Sequence, residues 1–137
     1  MALLGLREST MDVDTITQLD ATLRQAVTEV ARDFDLDPGW LNDRAFAFRP
    51  QIELTLDEPL FEHPNLVIDG PTPDYVFLMK LGRGAQRDRG DLVALWPRTT
   101  FGSPEAVARA YEAAYPHLLH DEYLAGYVAE IAAAAAR

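Results

Sequence analysis

The pair Gly70-Pro71 divides the sequence into two parts with different apolar patterns. Before this pair, short strand-like runs surround one helical pattern, whereas only helical patterns follow it. Strands and helices segregated along a chain in this way are typical of an α+β fold, here a small mixed sheet with flanking helices and a helical C-terminal part. We therefore predict a single domain over residues 1–137, with the sheet in about 1–70 and the helical part in about 71–137.

Capping and breaking residues set the boundaries of the predicted elements. Ser, Thr or Asp followed by proline marks helix starts, and we expect Asp57-Glu58-Pro59 to end a strand. The predicted strands are Thr10–Ile16, Gln51–Leu56 and Asn65–Asp69. The predicted helices are the end of one at Met1–Leu6, Thr17–Asp35, a short one opening at Asp37-Pro38, Thr72–Arg83, Arg87–Trp96, Ser103–Pro116, and one from Asp121 through the terminal alanines.

The composition excludes several classes of function. The formal net charge of −10 argues against broad binding to a nucleic-acid backbone, although it allows a local basic patch. The sequence has no cysteine, which excludes thiolate metal sites and cysteine nucleophiles. No apolar run approaches the ~20 residues that would span a bilayer, so we expect no membrane association and a cytoplasmic location.

Asp12 and Asp14 lie two residues apart in the first predicted strand. Successive side chains of a strand point to opposite sides, so the two carboxylates share one face and Val13 faces the core. A pair of carboxylates on a rigid strand suits a hard divalent cation such as Mg²⁺, which prefers oxygen ligands and retains several waters. A second explanation stays open at this point, namely that Asp14 or Thr15 caps the helix that follows.

Two later segments change the interpretation of this carboxylate pair. Tyr75–Arg83 contains Lys80, the only lysine of the sequence, and Arg87–Leu92 follows with the pattern Arg-Asp-x-x-Asp. Together with Arg7–Asp14, these segments resemble the nucleotidyltransferase-fold proteins of bacterial toxin–antitoxin and abortive-infection systems, the AbiEii and MenT type. The resemblance covers roughly residues 2–95.

The resemblance implies an activity and a set of catalytic residues. In that family the Asp-x-Asp strand binds the metal ions that hold a nucleoside triphosphate, which implies Mg²⁺ or Mn²⁺ at Asp12 and Asp14. The family's phosphate-side lysine and the aspartate of its next helix match Lys80 and Asp88, with Asp91 close by. The family transfers a nucleoside monophosphate to RNA or protein and releases pyrophosphate. Such chemistry requires charge stabilisation and in-line positioning more than covalent catalysis by the protein.

Other residues are expected to contact the nucleotide. Ser9 and Thr10 precede the carboxylate pair, and Lys80 and Arg83 lie on the later helix. If that helix continued unbroken, Arg87 would share a face with both cations. The alternative is a basic stripe that faces solvent and balances an acidic protein.

A third carboxylate usually completes such a metal site. Glu53 is the first candidate, because it lies on the polar face of a predicted strand between apolar neighbours. Asp69, at the end of the next strand, is the second candidate. For each of them the alternative is a strand carboxylate that faces water.

The resemblance also bears on the start of the chain and on partners. The family places a Gly-Gly or Gly-Ser pair about one helix before the Asp-x-Asp strand, where backbone N–H groups approach phosphate. Residues 1–6 have the pattern of the end of that helix, so we expect either a start further upstream or a naturally reduced protein. Three hypotheses about the protein stay open. It is a nucleotidyltransferase acting on tRNA or a protein acceptor, a non-catalytic regulatory member of the fold, or an unrelated α+β domain. A cognate toxin or antitoxin and a second copy of the chain are the expected protein partners.

Overall fold

The computed structural model describes residues 12–137. The chain divides into two compact units, one ending at Arg49 and the other comprising Pro50–Arg137. The predictions for Met1–Leu6, and for the start of the first strand, lie outside the described residues. No helix in the described part has both the length and the apolarity to cross a bilayer.

The first unit pairs two short parallel strands that are joined through a helix. Val13 N–H donates to the carbonyl of Trp40 at 2.6 Å, and Thr15 N–H donates to that of Asn42 at 2.8 Å. Parallel strands need a long crossover, and the helix provides it. The elements of this unit are β1 (Val13–Asp14), α1 (Ala21–Asp33), β2 (Leu41–Asn42) and a 3₁₀ helix (Arg44–Phe48).

Helix α1 begins later than the sequence predicts. Its N-cap is Asp20, whose carboxylate accepts a first-turn backbone N–H at 2.8 Å, and not Thr17. The residue before the cap, Leu19, donates its N–H to Asp43 at 3.1 Å, which holds this stretch outside the helix. The predicted start was therefore wrong, because a distant side chain competes for the backbone that would have formed the first turn.

The short helix predicted at Asp37-Pro38 is also absent from the described residues. Asp37 Oδ1 accepts the N–H of Gly39 at 2.7 Å, which closes a turn instead of a helix. The chain then enters β2, so Leu41 pairs with Val13 rather than lying on a helix. Aspartate before proline starts either structure, and here the parallel pairing favours the turn.

The second unit combines a two-stranded antiparallel hairpin with four helices. The described residues therefore form two separate two-stranded sheets in place of the single mixed sheet that we predicted. The hairpin and the helices belong to the same unit, which begins at Pro50. The elements are β3 (Leu56–His63), β4 (Leu66–Pro71), α2 (Pro73–Arg83), α3 (Arg89–Leu95), α4 (Pro104–Ala114) and α5 (Leu124–Ala135), with 3₁₀ turns at Gln86–Asp88 and Trp96–Arg98.

The predicted strand Gln51–Leu56 was wrong. Strand β3 begins at Leu56 and continues through Asp57-Glu58-Pro59, the residues expected to end it. Two register shifts flank Pro59, which pairs with Asp69. Such irregularities accommodate a proline that lacks a backbone N–H.

Helices α2 and α4 confirm the predictions made from their first residues. Thr72 caps α2 and Ser103 caps α4, and each is followed by proline at the first helical position. Their apolar faces contribute to a core whose most buried side chains are Tyr75, Phe77, Leu92, Leu95, Val107, Val128 and Ile131.

Candidate functional site

Two buried aspartates hold the ammonium group of Lys80. The Nζ atom donates to Asp91 Oδ2 at 2.8 Å and to Asp88 Oδ1 at 3.2 Å. Only 13% of the Lys80 side chain is exposed, and both carboxylates are more deeply buried. An ammonium group has three N–H donors, and the third makes no hydrogen bond within residues 12–137. Lys80 is therefore fixed in position with one donor remaining.

The turn between α2 and α3 brings these three residues together. Gly84 ends α2 in the left-handed conformation, with φ at 63°, and its N–H bonds to the carbonyls of Lys80 and Leu81. Asp88 then ends the 3₁₀ turn and is the N-cap of α3, and Asp91 lies in the first turn of that helix. The left-handed position at residue 84 explains why glycine stands there.

The turn also separates the predicted basic residues. Arg83 lies in the last turn of α2 beside Lys80, and its Nε atom is 3.7 Å from Asp88 Oδ2. Arg87 lies in the following 3₁₀ turn, so the three cations do not share one helix face. The condition for a shared face, an unbroken helix through Arg87, is therefore not met, and α2 ends at Arg83 as predicted.

Hydrophobic stabilisation does not explain a cluster of buried charges. Replacing a buried ion pair by apolar residues of similar volume is often neutral or stabilising, because desolvation offsets the attraction between the charges. Removing one partner, in contrast, leaves an uncompensated buried charge. Asp88 Oδ2 already makes no hydrogen bond in the described part of the chain. Charged groups retained at such a position are candidates for a functional site.

A cleft of about 280 Å³ opens beside this cluster. It is smaller than most pockets for drug-sized ligands. Its lining includes Lys80, Leu81, Gly84, Gln86, Leu92 and Tyr127. The cleft therefore has a largely apolar lining, and among the described residues that line it Lys80 is the one cationic residue.

The pair Asp12 and Asp14 belongs to the first unit. Both side chains are exposed and Val13 between them is half-buried, as the alternation along a strand predicts. Because Asp20 caps α1, the explanation that Asp14 or Thr15 caps this helix was wrong. Two exposed carboxylates at alternate positions fit the oxygen donors that Mg²⁺ prefers. No group of three potential metal-ligating side chains occurs among residues 12–137.

The remaining predicted site residues lie in different surroundings. Glu53 is exposed on an irregular segment and not on the polar face of a strand, and Asp69 is exposed on β4. Ser9 and Thr10 lie outside the described residues. Their predicted contacts with the nucleotide stay predictions, as does the metal-binding role of Glu53.

The sequence pattern did not indicate that Tyr127 lines the same cleft as Lys80. Its spacing in α5 is that of the apolar stripe, so the pattern predicts a core residue, whereas it is half-buried and lines the cleft. Nothing in the local sequence distinguishes the two environments.

No family model, curated protein or solved structure matches this chain.

Proposed function

We propose that the chain is a metal-dependent nucleotidyltransferase that moves a nucleoside monophosphate from a nucleoside triphosphate to RNA or protein. The observation that carries this proposal is Lys80, which lines a cleft and whose ammonium group is held by Asp88 and Asp91. The lysine and the Arg-Asp-x-x-Asp segment, which first indicated the family, are thus neighbours in space. A fixed cation with one remaining donor suits a phosphate oxygen.

The proposal gives each group a separate task. Asp12 and Asp14 would supply oxygen ligands for Mg²⁺, and the bound cation would neutralise negative charge on phosphate oxygens. Lys80 donates its third N–H to a phosphate oxygen, while Asp88 and Asp91 keep its ammonium in place. The acceptor oxygen bonds to the α-phosphorus and its proton passes to solvent. The bond from that phosphorus to the bridging oxygen breaks, and pyrophosphate leaves with the electron pair.

The charges of the cluster favour a second candidate, a non-catalytic member of the same fold. Lys80 and Arg83 carry two positive charges, and Asp88 and Asp91 carry two negative ones. The formal charges of these four residues sum to zero, which weakens their attraction for a triphosphate. In this candidate function the cluster fixes the α2–α3 turn and the protein acts by binding a partner.

Calorimetry with Mg²⁺ or Mn²⁺ and each nucleoside triphosphate separates the two candidates. The nucleotidyltransferase should bind at least one nucleotide with the metal, and the variant Asp12→Asn/Asp14→Asn should lose the metal-dependent part. Asp33→Asn is the matched control, because Asp33 is an exposed aspartate of the same unit that pairs with Arg32. The control should bind as the parent does.

A second measurement tests the phosphate contact. Lys80→Arg keeps the charge next to both aspartates but changes the donor geometry, so nucleotide affinity should fall while the fold is retained. Arg89→Gln, an exposed cation one residue past Asp88, is the control. If the parent chain binds no nucleotide with either metal, the enzyme proposal fails and the non-catalytic candidate stands.

A further inference from the structure

The hairpin of β3 and β4 exposes a group of large apolar side chains. Each of the six is between 39% and 52% exposed, which is unusual for so many neighbouring residues of a small sheet. An isolated two-stranded hairpin has marginal stability in water. The six residues are Leu56, Leu60, Phe61, Leu66, Val67 and Ile68.

The register of the hairpin gives its two faces different chemistry. Residues directly opposite each other share a face, so Phe61 and Ile68 lie on the same side as the pair His63 and Leu66. The other side carries the pairs Glu62 with Val67 and Pro59 with Asp69. One face is therefore mostly apolar, and the other presents the carboxylates of Glu62 and Asp69 among apolar residues such as Val67 and Pro59.

The two outer edges of the hairpin differ in their capacity to pair. β3 carries Pro59, which has no N–H donor, and it is irregular on both sides of that residue. β4 retains every N–H group from Leu66 to Gly70, and within residues 12–137 no other strand pairs with its outer edge. The edge of β4 is thus the one to which a further strand can be added.

We infer that the outer edge of β4 binds an extended segment of another protein in which apolar and basic residues alternate. Such a strand places its apolar side chains beside Leu66 and Ile68 and its basic side chains on the face of Glu62 and Asp69. Backbone hydrogen bonds supply part of the affinity, and the different chemistry of the two faces determines which peptide sequences bind.

Charge excludes a second copy of the chain as the favoured occupant. The acidic residues of the hairpin are Asp57, Glu58, Glu62 and Asp69, and it has no lysine or arginine. Pairing β4 with its own copy brings carboxylates of both chains onto one face, within a pair whose members each have a net charge of −10. A basic segment is attracted where an identical copy is repelled.

The probe that tests this inference is a short fluorescent peptide of alternating valine and lysine, about as long as β4. Anisotropy should show saturable binding that weakens with salt, and a valine–glutamate peptide of equal length should not bind. Hydrogen exchange should slow at the β4 amides when the lysine peptide is present. These readouts do not depend on nucleotide binding, so this inference and the proposed function can fail separately.

Two variants locate the binding face. Ile68→Lys should weaken binding of the lysine peptide by about tenfold or more, since it removes an aliphatic contact that the bound strand would bury and adds a like charge. Glu62→Gln/Asp69→Asn, which keeps the apolar face, should flatten the salt dependence. Leu119→Lys is the matched control, because Leu119 is a 94% exposed leucine outside the hairpin.

The results that overturn the inference are specific. Equal binding of both peptides, no binding of the lysine peptide, or equal loss in Leu119→Lys would each contradict it. Light scattering that shows a dimer in the parent chain and a monomer in Ile68→Lys would assign the surface to a second copy instead.

Discussion

The ring of Tyr115 occupies the space that a side chain at Gly82 would need. A Cβ atom at residue 82 would lie 2.6 Å from Tyr115 Cζ and 2.7 Å from its hydroxyl oxygen. The ring is buried, and its hydroxyl donates to the carbonyl of Leu78 at 3.4 Å, so it is held in place. Helix α2 therefore contains a glycine because of a tertiary contact.

This contact predicts that alanine has opposite effects at two helical glycines. Gly82→Ala should lower the free energy of unfolding by about 1–3 kcal/mol, as overpacking does in other cores. Gly126→Ala in α5, where an added Cβ meets nothing within 4 Å, should raise it by about 0.5–1 kcal/mol. Urea denaturation measures both, and stabilisation by Gly82→Ala would contradict the packing described.

Because the ion cluster is buried, we predict that the removal of a single carboxylate strongly lowers the free energy of unfolding. Asp91→Ala should lower the free energy of unfolding by about 3–5 kcal/mol, because Lys80 would lose its shortest contact in a buried position. Arg89→Ala, on the exposed part of α3, should change stability by less than about 0.5 kcal/mol. Similar small effects of both substitutions would show that solvent already screens the cluster.

We predict that the first unit loses stability in acid and that Asp43 contributes to this loss. The backbone N–H of Leu19 lowers the pKa of this carboxyl below its ordinary value, and the nearby Arg24 guanidinium acts in the same direction. A lowered pKa in the folded state means that the stabilisation is present above the unfolded pKa and is lost as the pH falls through the folded one. Asp43→Asn should remove this part of the acid dependence. Thermal unfolding across acidic pH measures the change, and Asp33→Asn should leave it unaltered.

Local sequence signals were sufficient to locate some helices and strands and insufficient to locate others. Thr72-Pro73 and Ser103-Pro104 place the starts of α2 and α4, because capping depends on neighbouring backbone groups alone. The start of α1 depends on Asp43, which is 24 residues from Leu19, so no window around Thr17 contains the information. Strand β3 passes through Pro59 because β4 accepts an irregular register there.

For the candidate site as well, the sequence was sufficient for some residues and insufficient for others. The family resemblance pointed to Lys80 and Asp88, and the alternation of a strand pointed to the exposed pair Asp12 and Asp14. Neither source indicated that Asp91 makes the shortest contact with Lys80, or that Tyr127 lines the neighbouring cleft. Both facts depend on how α2, α3 and α5 pack, which the spacing of residues in one helix does not determine.

The left-handed glycine after α2 has a consequence for any shortened version of the molecule. On a continuous helix, residues 80 and 88 would be separated by about 12 Å along the axis at ~1.5 Å per residue. A synthetic fragment that ends before Gly84, or one in which this region becomes uniformly helical, therefore cannot reproduce the ammonium–carboxylate contact. The contact between the lysine and the two aspartates depends on the turn that begins at Gly84, so a peptide cut before it would leave the ammonium group to solvent.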